Sequence, residues 1–385
     1  MMKILLLGGS GILSSEICLL ALNKGYDVSM INRGKRKENI DSRATIIISD
    51  LKNDEVGKIR DKMSGEVYDV VIDFVSYNVK QLARTTEFIK GKCKQFIFIS
   101  SATAYINKND NTPYKETDLV GDTGWSYAYD KVKCEKYLAE NKNQLGFEYT
   151  IIRPYVTFGK TRIPYQVIPL EYFTIINRII SKKPILFFGK DVYCTLTTSK
   201  MFAVGVVGLF LNERAYNEAI HITSSKVFVW RKIIELLAEQ LNEKPDLVEL
   251  TTETLHKGAR ILGFDVNEIL YDKSRNMVFD NKKVKELVPD FDDNVDIESA
   301  LKESLKYFLN NKESQKINYA WDARIDSLLS KHFPNIPTRQ LSLNGYKNSL
   351  SKKERKEYIC NRYDILYFFM KTIERISRKL AGKIA

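Results

Sequence analysis

Lys3 to Ser14 reads KILLLGGSGILS, and this stretch decides the fold. Lys3 to Leu7 is a run of bulky apolar residues, as a strand buried on both faces of a parallel sheet requires. Gly8, Gly9 and Gly11 follow at once, and a helical pattern opens at Ile12. Glycine is needed there because the chain turns sharply and a phosphate must approach the backbone with no Cβ in the way. The helix that follows offers unpaired N–H groups and the positive end of its dipole to a pyrophosphate. The spacing is G-x-x-G-x-x-S, with Ser14 in the place of a third glycine. Glycines alone are a weak signal. Their position between a strand opening at residue 3 and a helix makes this one strong.

The rest of the composition narrows the class. With 385 residues, 44% hydrophobic and 28% charged, the chain is a globular protein with ample core. No apolar stretch reaches the roughly 18–20 residues that span a bilayer, and Leu5 to Leu7 runs into glycines too soon for a signal peptide. Cys18, Cys93, Cys134, Cys194 and Cys360 form no C-x-x-C pair, and His221, His256 and His332 are isolated. Neither a metal site nor a disulfide scaffold is expected, and the reading is a reduced, cytoplasmic protein. The net charge of +12 is concentrated at the end: from Arg339 onward there are twelve Lys or Arg against four Asp or Glu. Bulk basicity therefore says little about the body of the chain.

Strands and helices alternate along the first half. Ile12 to Asn23 reads as a helix closed by Gly25, and Tyr26 to Ile31 as a second strand. Asn32-Arg33-Gly34 follows, where such folds face the adenosine ribose: an acid favours the free 2′-OH, an arginine the 2′-phosphate. Arg33, with Lys35 and Arg36 nearby, leans towards NADP(H), against the alternative of a solvated basic loop. Thr45 to Ser49 is a third strand ending at Asp50-Leu51, an edge for the adenine. Asp69 to Phe74 is a fourth, Asn78 to Lys90 a helix and Gln95 to Ile99 a fifth strand. Short apolar strands alternating with helices of about twelve residues indicate a right-handed, doubly wound parallel α/β sheet.

Ser100 and Ser101 leave the carboxyl end of the fifth strand, where open α/β sheets bind ligands. Tyr127 and Lys131 come some 25 residues later, four apart, and so share one helix face. An ammonium beside a phenol lowers the phenol's pKa from about 10 towards working pH. A hydroxyl from Ser101 can hold the same substrate oxygen. Such a set suits removal of an alcohol proton while hydride leaves for a nicotinamide, or the reverse. Tyr129 and Lys133 form a second pair at the same spacing, and such pairs are common on solvated helices.

Residues 1 to about 310 resemble the extended short-chain dehydrogenase/reductases, specifically the NAD-dependent epimerase/dehydratase family of nucleotide-sugar enzymes. The pieces that carry the resemblance are LLLGGSGILS, Ser49–Leu51, FISSATAY, YAYDKVKCE and IIRPYVTFG. The family segment Y-x-x-x-K-x-x-x-E selects Tyr127, Lys131 and Glu135, and the serine directly before A-T-x-Y selects Ser101 over Ser100. The resemblance implies Tyr127 as acid or base, Ser101 as the residue orienting the substrate oxygen, and Lys131 as the holder of the ribose. It implies a cofactor site on Gly8, Gly9, Ser10, Gly11, Ile12 and Leu13, then Asn32, Arg33, Asp50 and Leu51. Phe74, Val75, Lys131, Pro154 and Tyr155 complete it. The cofactor is NAD or NADP, with the lean to NADP from Arg33, and the partner implied is a homodimer formed through the helices carrying Tyr127. The architecture is a Rossmann-type sheet (1–160, with 190–225 returning to it), a smaller discontinuous substrate lobe (161–310) and a basic helical extension (311–385).

Departures from the family pattern bear on the reaction. Ile106 stands where a glycine usually follows the tyrosine. Gly189 to Thr198 lacks the arginine and aspartates common in the family; Lys160, Arg162, Lys182 and Lys183 are candidate replacements, or ordinary solvated charges. Family dehydratases place an Asp-Glu pair after the serine or threonine; here Ala102 and Thr103 stand there and do no acid–base work. Epimerisation or ketoreduction of a nucleotide-linked sugar is therefore the expected reaction. The same architecture with N-R-G after the second strand is similar to the chloroplast stem-loop-binding group, so an RNA-binding, non-catalytic protein is the alternative. His221 reads as a buried structural residue. Asp364 to Ala381 reads as an amphipathic basic helix, packed on its own body or a partner subunit, or lying on an anionic membrane through residues 363–385.

Overall fold

The computed structural model describes residues 1–34, 40–108, 112–166, 171–189, 191–263, 265–333, 346, 349–362 and 372–373. Two compact units divide the chain. The first comprises Met1–Pro164, Val192–Ile233 and Tyr271–Tyr307; the second comprises Tyr165–Asp191, Ile234–Leu270 and Phe308–Ala385.

The first unit is built on a seven-stranded parallel sheet. Its strands are β1 (Lys3–Leu7), β2 (Asp27–Asn32), β3 (Thr45–Ile48), β4 (Tyr68–Asp73), β5 (Cys93–Ile99), β6 (Glu148–Pro154) and β7 (Ala219–Ile222). Their order across the sheet is β7-β6-β5-β4-β1-β2-β3, and every pairing is parallel. The order reverses between β1 and β4, which opens a crevice at the carboxyl ends of those two strands. Ile4 to Leu7, Val70 to Ile72 and Phe96 to Phe98 have no exposed surface, because helices cover both faces. These helices include α1 (Ile12–Asn23), α2 (Val56–Lys62), α3 (Val79–Ile89) and α4 (Ser126–Leu145). The Asn78 side chain caps α3 by accepting the Gln81 N–H at 3.1 Å. Gly146, at φ +77, closes α4 in the left-handed conformation.

The second unit holds a helix at Phe173–Ile180 and a two-stranded parallel ladder joining Ile185–Phe188 to Leu247–Leu250. Helices Thr252–Leu262, Tyr319–His332 and Lys352–Arg362 complete it. Its most buried polar feature is an ionic cluster. Arg178, 1% exposed, pairs with Asp322 and, at 2.8 Å, with Asp326, while Lys183 Nζ lies 2.9 Å from Asp322 and 3.2 Å from Asp326. Tyr346 donates its hydroxyl to both carboxylates.

Chain-distant contacts set the unit boundaries differently from the sequence-based division. Residues 271–307, read as part of the smaller lobe, fall in the first unit. Met277 donates to Tyr193 O at 2.9 Å, Thr195 to Met277 O at 3.1 Å and Asp280 to Tyr114 O at 2.8 Å. The described residues beyond 311 fall in the second unit with residues 165–191, and the Arg178–Asp322–Asp326 cluster supplies the link. The expected helix at Asp364–Ala381 lies, apart from residues 372–373, outside the described residues. No described helix is long and apolar enough to cross a membrane.

Candidate active site

At the switch point, β1 runs into Gly8 and Gly9, with φ of +111 and +64. Side chains rarely adopt these angles, and space forbids them as well: a Cβ on Gly8 would lie 2.8 Å from Val75 Cγ1, and one on Gly9 2.6 Å from Met30 Sδ. Ser10 N–H donates to Gly8 O at 2.9 Å, and Gly11 caps α1, which Ile12 and Leu13 open half-buried. Ser14 is buried; its hydroxyl accepts the Gly11 N–H at 3.0 Å and donates to Gly11 O at 3.1 Å. The serine in the third glycine's place is thus a local cap on the turn. The result is a glycine bend leading into a helix N-terminus at the switch point, an arrangement that fits the pyrophosphate of a dinucleotide.

The residues read as cofactor contacts line the same edge. Phe74 and Val75 follow β4; Phe74 N–H donates to Leu7 O at 3.2 Å and Val75 N–H to Asp73 Oδ1 at 2.7 Å. Asn32 ends β2, and its Oδ1 accepts the Gly34 N–H at 2.7 Å. Arg33 is exposed. Asp50 accepts from Lys52 N–H and Asn53 Nδ2, both at 3.0 Å; these bonds, with a smaller contribution from Arg33, hold its carboxyl below the usual carboxylate range. Leu51 O accepts Arg84 Nε at 3.0 Å. Pro154 ends β6, and Tyr155 follows it buried, its ring centroid 5.0 Å from that of Phe279. Lys35 and Arg36 lie outside the described residues.

Ser101 leaves β5 next to the end of β6, since Ser100 N–H donates to Ile152 O at 2.8 Å. Its hydroxyl lies 2.8 Å from Thr103 Oγ1. Tyr127, in the first turn of α4, stacks obliquely between Trp125 (centroids 4.8 Å apart) and Tyr77 (6.3 Å). Burial pushes the Tyr127 phenol up to about 12, while hydrogen bonding to Ser101 and the charge on Arg162 pull the other way. Lys131 is 2% exposed, and its ammonium donates to Ser76 O at 2.7 Å and Ile99 O at 2.8 Å. Burial lowers it to about 8, against the opposing pull of Asp73. Lys131 is turned to two backbone carbonyls, and burial is the largest influence on the Tyr127 phenol. Tyr129 and Lys133 sit on the outer side of α4; Tyr129 is 39% exposed and Lys133 pairs with Asp130.

Among the four candidate cations, Arg162 donates from Nη1 to Thr157 Oγ1 at 3.4 Å, and its charge pulls the Tyr127 phenol down against burial. Lys160 stands 5.6 Å from the Tyr307 ring centroid. Lys182 lies 3.9 Å from Glu243, and Lys183 is committed to Asp322 and Asp326.

Behind the site runs a buried polar chain. Glu135 accepts from Ser100 and from both Arg153 Nε (3.0 Å) and Nη2 (2.6 Å); Arg153 Nη1 donates to Tyr105 Oη at 2.6 Å. Tyr105 Oη lies 2.6 Å from His221 Nε2, whose Nδ1 is 2.9 Å from Asp280 O. Burial lowers His221 to about 3, which makes it a neutral structural ring. Two acidic groups near the site escape the sequence reading. Asp73 could have been flagged, because a carboxylate closing the apolar run VVID at a strand end is unusual. Asp272 carries no such local signal. Among the described residues, no group of three or more His, Cys, Asp or Glu is placed to hold a metal ion.

Known proteins share this fold. The family model described as "NAD dependent epimerase/dehydratase family" matches residues 4–195. An epimerase from Methanothermobacter thermautotrophicus superposes with a TM-score of 0.68 at 15% identity, over 81% of this chain and 93% of that one. UDP-glucuronic acid 4-epimerase from Bacillus cereus, in complex with NAD, gives a TM-score of 0.64 at 18% identity, over 81% and 98%. Among curated proteins, the Arabidopsis thaliana chloroplast stem-loop binding protein of 41 kDa b is 25% identical over 238 residues, 58% of this chain. The match spans 59% of that relative's length. The structural likenesses are of fold. Residues 4–195 of the chain belong to the NAD-dependent epimerase/dehydratase family.

Proposed function

We propose that the chain is an NAD(P)-dependent enzyme acting on a nucleotide-linked sugar, as an epimerase or a ketoreductase. This reading rests on Ser101 at the end of β5 and on Tyr127 and the buried Lys131, four apart on α4, at the carboxyl edge of the sheet. The bound nicotinamide would supply hydride transfer. Gly8 to Leu13 would take its pyrophosphate, Asn32, Arg33, Asp50 and Leu51 its adenosine end, and Phe74, Val75, Lys131, Pro154 and Tyr155 its nicotinamide end. The chain's own part is proton chemistry. As the phenol, Tyr127 donates its proton to a carbonyl oxygen being reduced; as the phenolate, it takes the proton of an alcohol being oxidised. Ser101 holds that oxygen, and Lys131 stabilises the charge as it develops.

Arg33, exposed at the end of β2, supports NADP(H), while the B. cereus relative holds NAD. Ala102 and Thr103 support epimerisation or reduction over dehydration, since neither carries a proton-transfer group. The chain would pair as a homodimer through the helices carrying Tyr127, with sedimentation velocity as the test. The tail at 363–385 would touch an anionic membrane, and a deletion of that segment that leaves vesicle binding unchanged would end the idea. The reaction itself is tested with NAD(P)-loaded protein and a panel of nucleotide sugars. Tyr127→Phe is expected to lose about 100-fold or more in turnover while binding the dinucleotide normally. Full turnover in that variant would sink the assignment.

A second reading rests on the stem-loop-binding relative. It predicts binding of a stem-loop RNA that weakens steeply as salt rises, by phosphate-counterion release. RNA binding that survives Tyr127→Phe, together with no sugar turnover in the native protein, would favour it.

A further inference from the structure

The chain leaves β6 through a strained corner. Val156, a β-branched residue, stands at φ +33, a region such side chains avoid, and such strain persists only where the surroundings hold it. Thr197 holds the backbone: its hydroxyl donates to Tyr155 O at 3.0 Å and its N–H to Val156 O at 3.2 Å. The Tyr155 side chain is held by charge. The Lys273 ammonium lies 5.0 Å from the Tyr155 ring centroid, 6.0 Å from that of Trp230, and 2.6 Å from Asp272 Oδ2. Burial first, and then the negative charge of Asp272, push the Tyr155 phenol well above its usual range. Asp272 and Trp230 have no exposed surface, and Tyr155 has 2%.

Asp272 and Lys273 both belong to a π-helical turn, Ile269–Lys273, a geometry that recurs at functional sites. The same turn reaches the start of α4, where a Cβ on Gly124 would lie 2.6 Å from the Tyr271 ring. One turn therefore meets the segment just before Tyr127 and grips the residue just after β6. A buried ion pair is a poor way to gain stability, because desolvating both charges offsets their attraction; apolar side chains would serve a core as well. Its value lies in direction, since a carboxylate that fixes the ammonium over the ring fixes the ring of Tyr155 in turn.

We propose that the Asp272–Lys273 pair is a positioning clamp, fixing Tyr155 and with it the Tyr155–Val156 corner beside Ser101. The inference rests on the function proposed above for what that corner touches, the nicotinamide end of the cofactor. The test is the dissociation constant of whichever dinucleotide the native protein binds, NAD⁺ or NADP⁺, measured by calorimetry on the full chain. Asp272→Asn and Lys273→Met weaken binding about five-fold or more, and Lys273→Arg, which keeps a cation over the ring, stays near native. Asp272 acts on the ring through Lys273, so adding Asp272→Asn to Lys273→Met brings no further loss, as coupling between contacting residues requires. Native binding in both Asp272→Asn and Lys273→Met would overturn the clamp, as would simple additivity in the double variant. Should Asp272→Asn not fold, Lys273→Met against Lys273→Arg carries the comparison. A native protein that binds neither dinucleotide overturns the functional reading itself, and the clamp's role falls with it.

Discussion

Lys131 shows how one side chain ties stability to chemistry. Its ammonium is buried on two carbonyls and lowered to about 8. A lysine whose folded pKa lies below its ordinary 10.5 holds fewer protons folded than unfolded between those two values. Unfolding free energy therefore rises with pH across that window, as the cost of burying the charge is relieved. Lys131→Met lacks the group. Between pH 8 and 10.5 the native protein should gain on the variant by on the order of 3 kcal/mol, read by urea unfolding. A difference that stays flat with pH would mean that the ammonium is not desolvated. The spacing of Tyr127 and Lys131 was legible in the sequence, because four residues on a helix is local geometry. The direction of the lysine was not: it depends on the carbonyls of Ser76 and Ile99, which belong to other elements.

At the scale of the element, the turn between β1 and α1 is the most constrained piece of the first unit. Gly9 combines a left-handed backbone with Met30 Sδ at 2.6 Å from any Cβ. Gly9→Ala is expected to cost about 1–3 kcal/mol in stability and to abolish dinucleotide binding; denaturant midpoints and calorimetry check the two effects. Binding of native strength in a folded Gly9→Ala protein would show that the turn does not cradle the ligand. The strand and helix alternation was readable here because each element carries its own apolar run and its own punctuation. Ile12–Asn23 is read and observed with the same ends. The π-turn at Ile269–Lys273 had no such signature: nothing local in ILYDK marks Asp272 as buried, and Tyr155, the ring under the Lys273 ammonium, lies more than a hundred residues away.

Across the whole molecule, the sequence blurs wherever distant segments meet. Residues 271–307 follow the smaller lobe in the chain yet pair with the first unit through Tyr193 and Tyr114. The extension, read as a separate tail, places Asp322 and Asp326 around a fully buried Arg178. Hydrophobic periodicity reports a helix at Tyr319–His332 but not what its acids face. Arg178→Met leaves two buried carboxylates with Lys183 and Tyr346 alone, and should destabilise the second unit by about 3–5 kcal/mol. Limited proteolysis read by mass spectrometry would show early cleavage within 165–191 and 308–333. An unchanged cleavage pattern would mean that the cluster does not hold that unit together.

The central claim is that the switch-point crevice binds a nicotinamide dinucleotide beside a working Tyr127. The most direct test is mass spectrometry of small molecules released from the purified native protein, alongside NAD⁺ and NADPH titrations. The account predicts a nicotinamide dinucleotide recovered from the protein or bound on titration. Retained NAD⁺ would mark an epimerase that returns its hydride in each turnover, and selective NADPH binding to an empty site a reductase. Binding of neither dinucleotide would contradict the account.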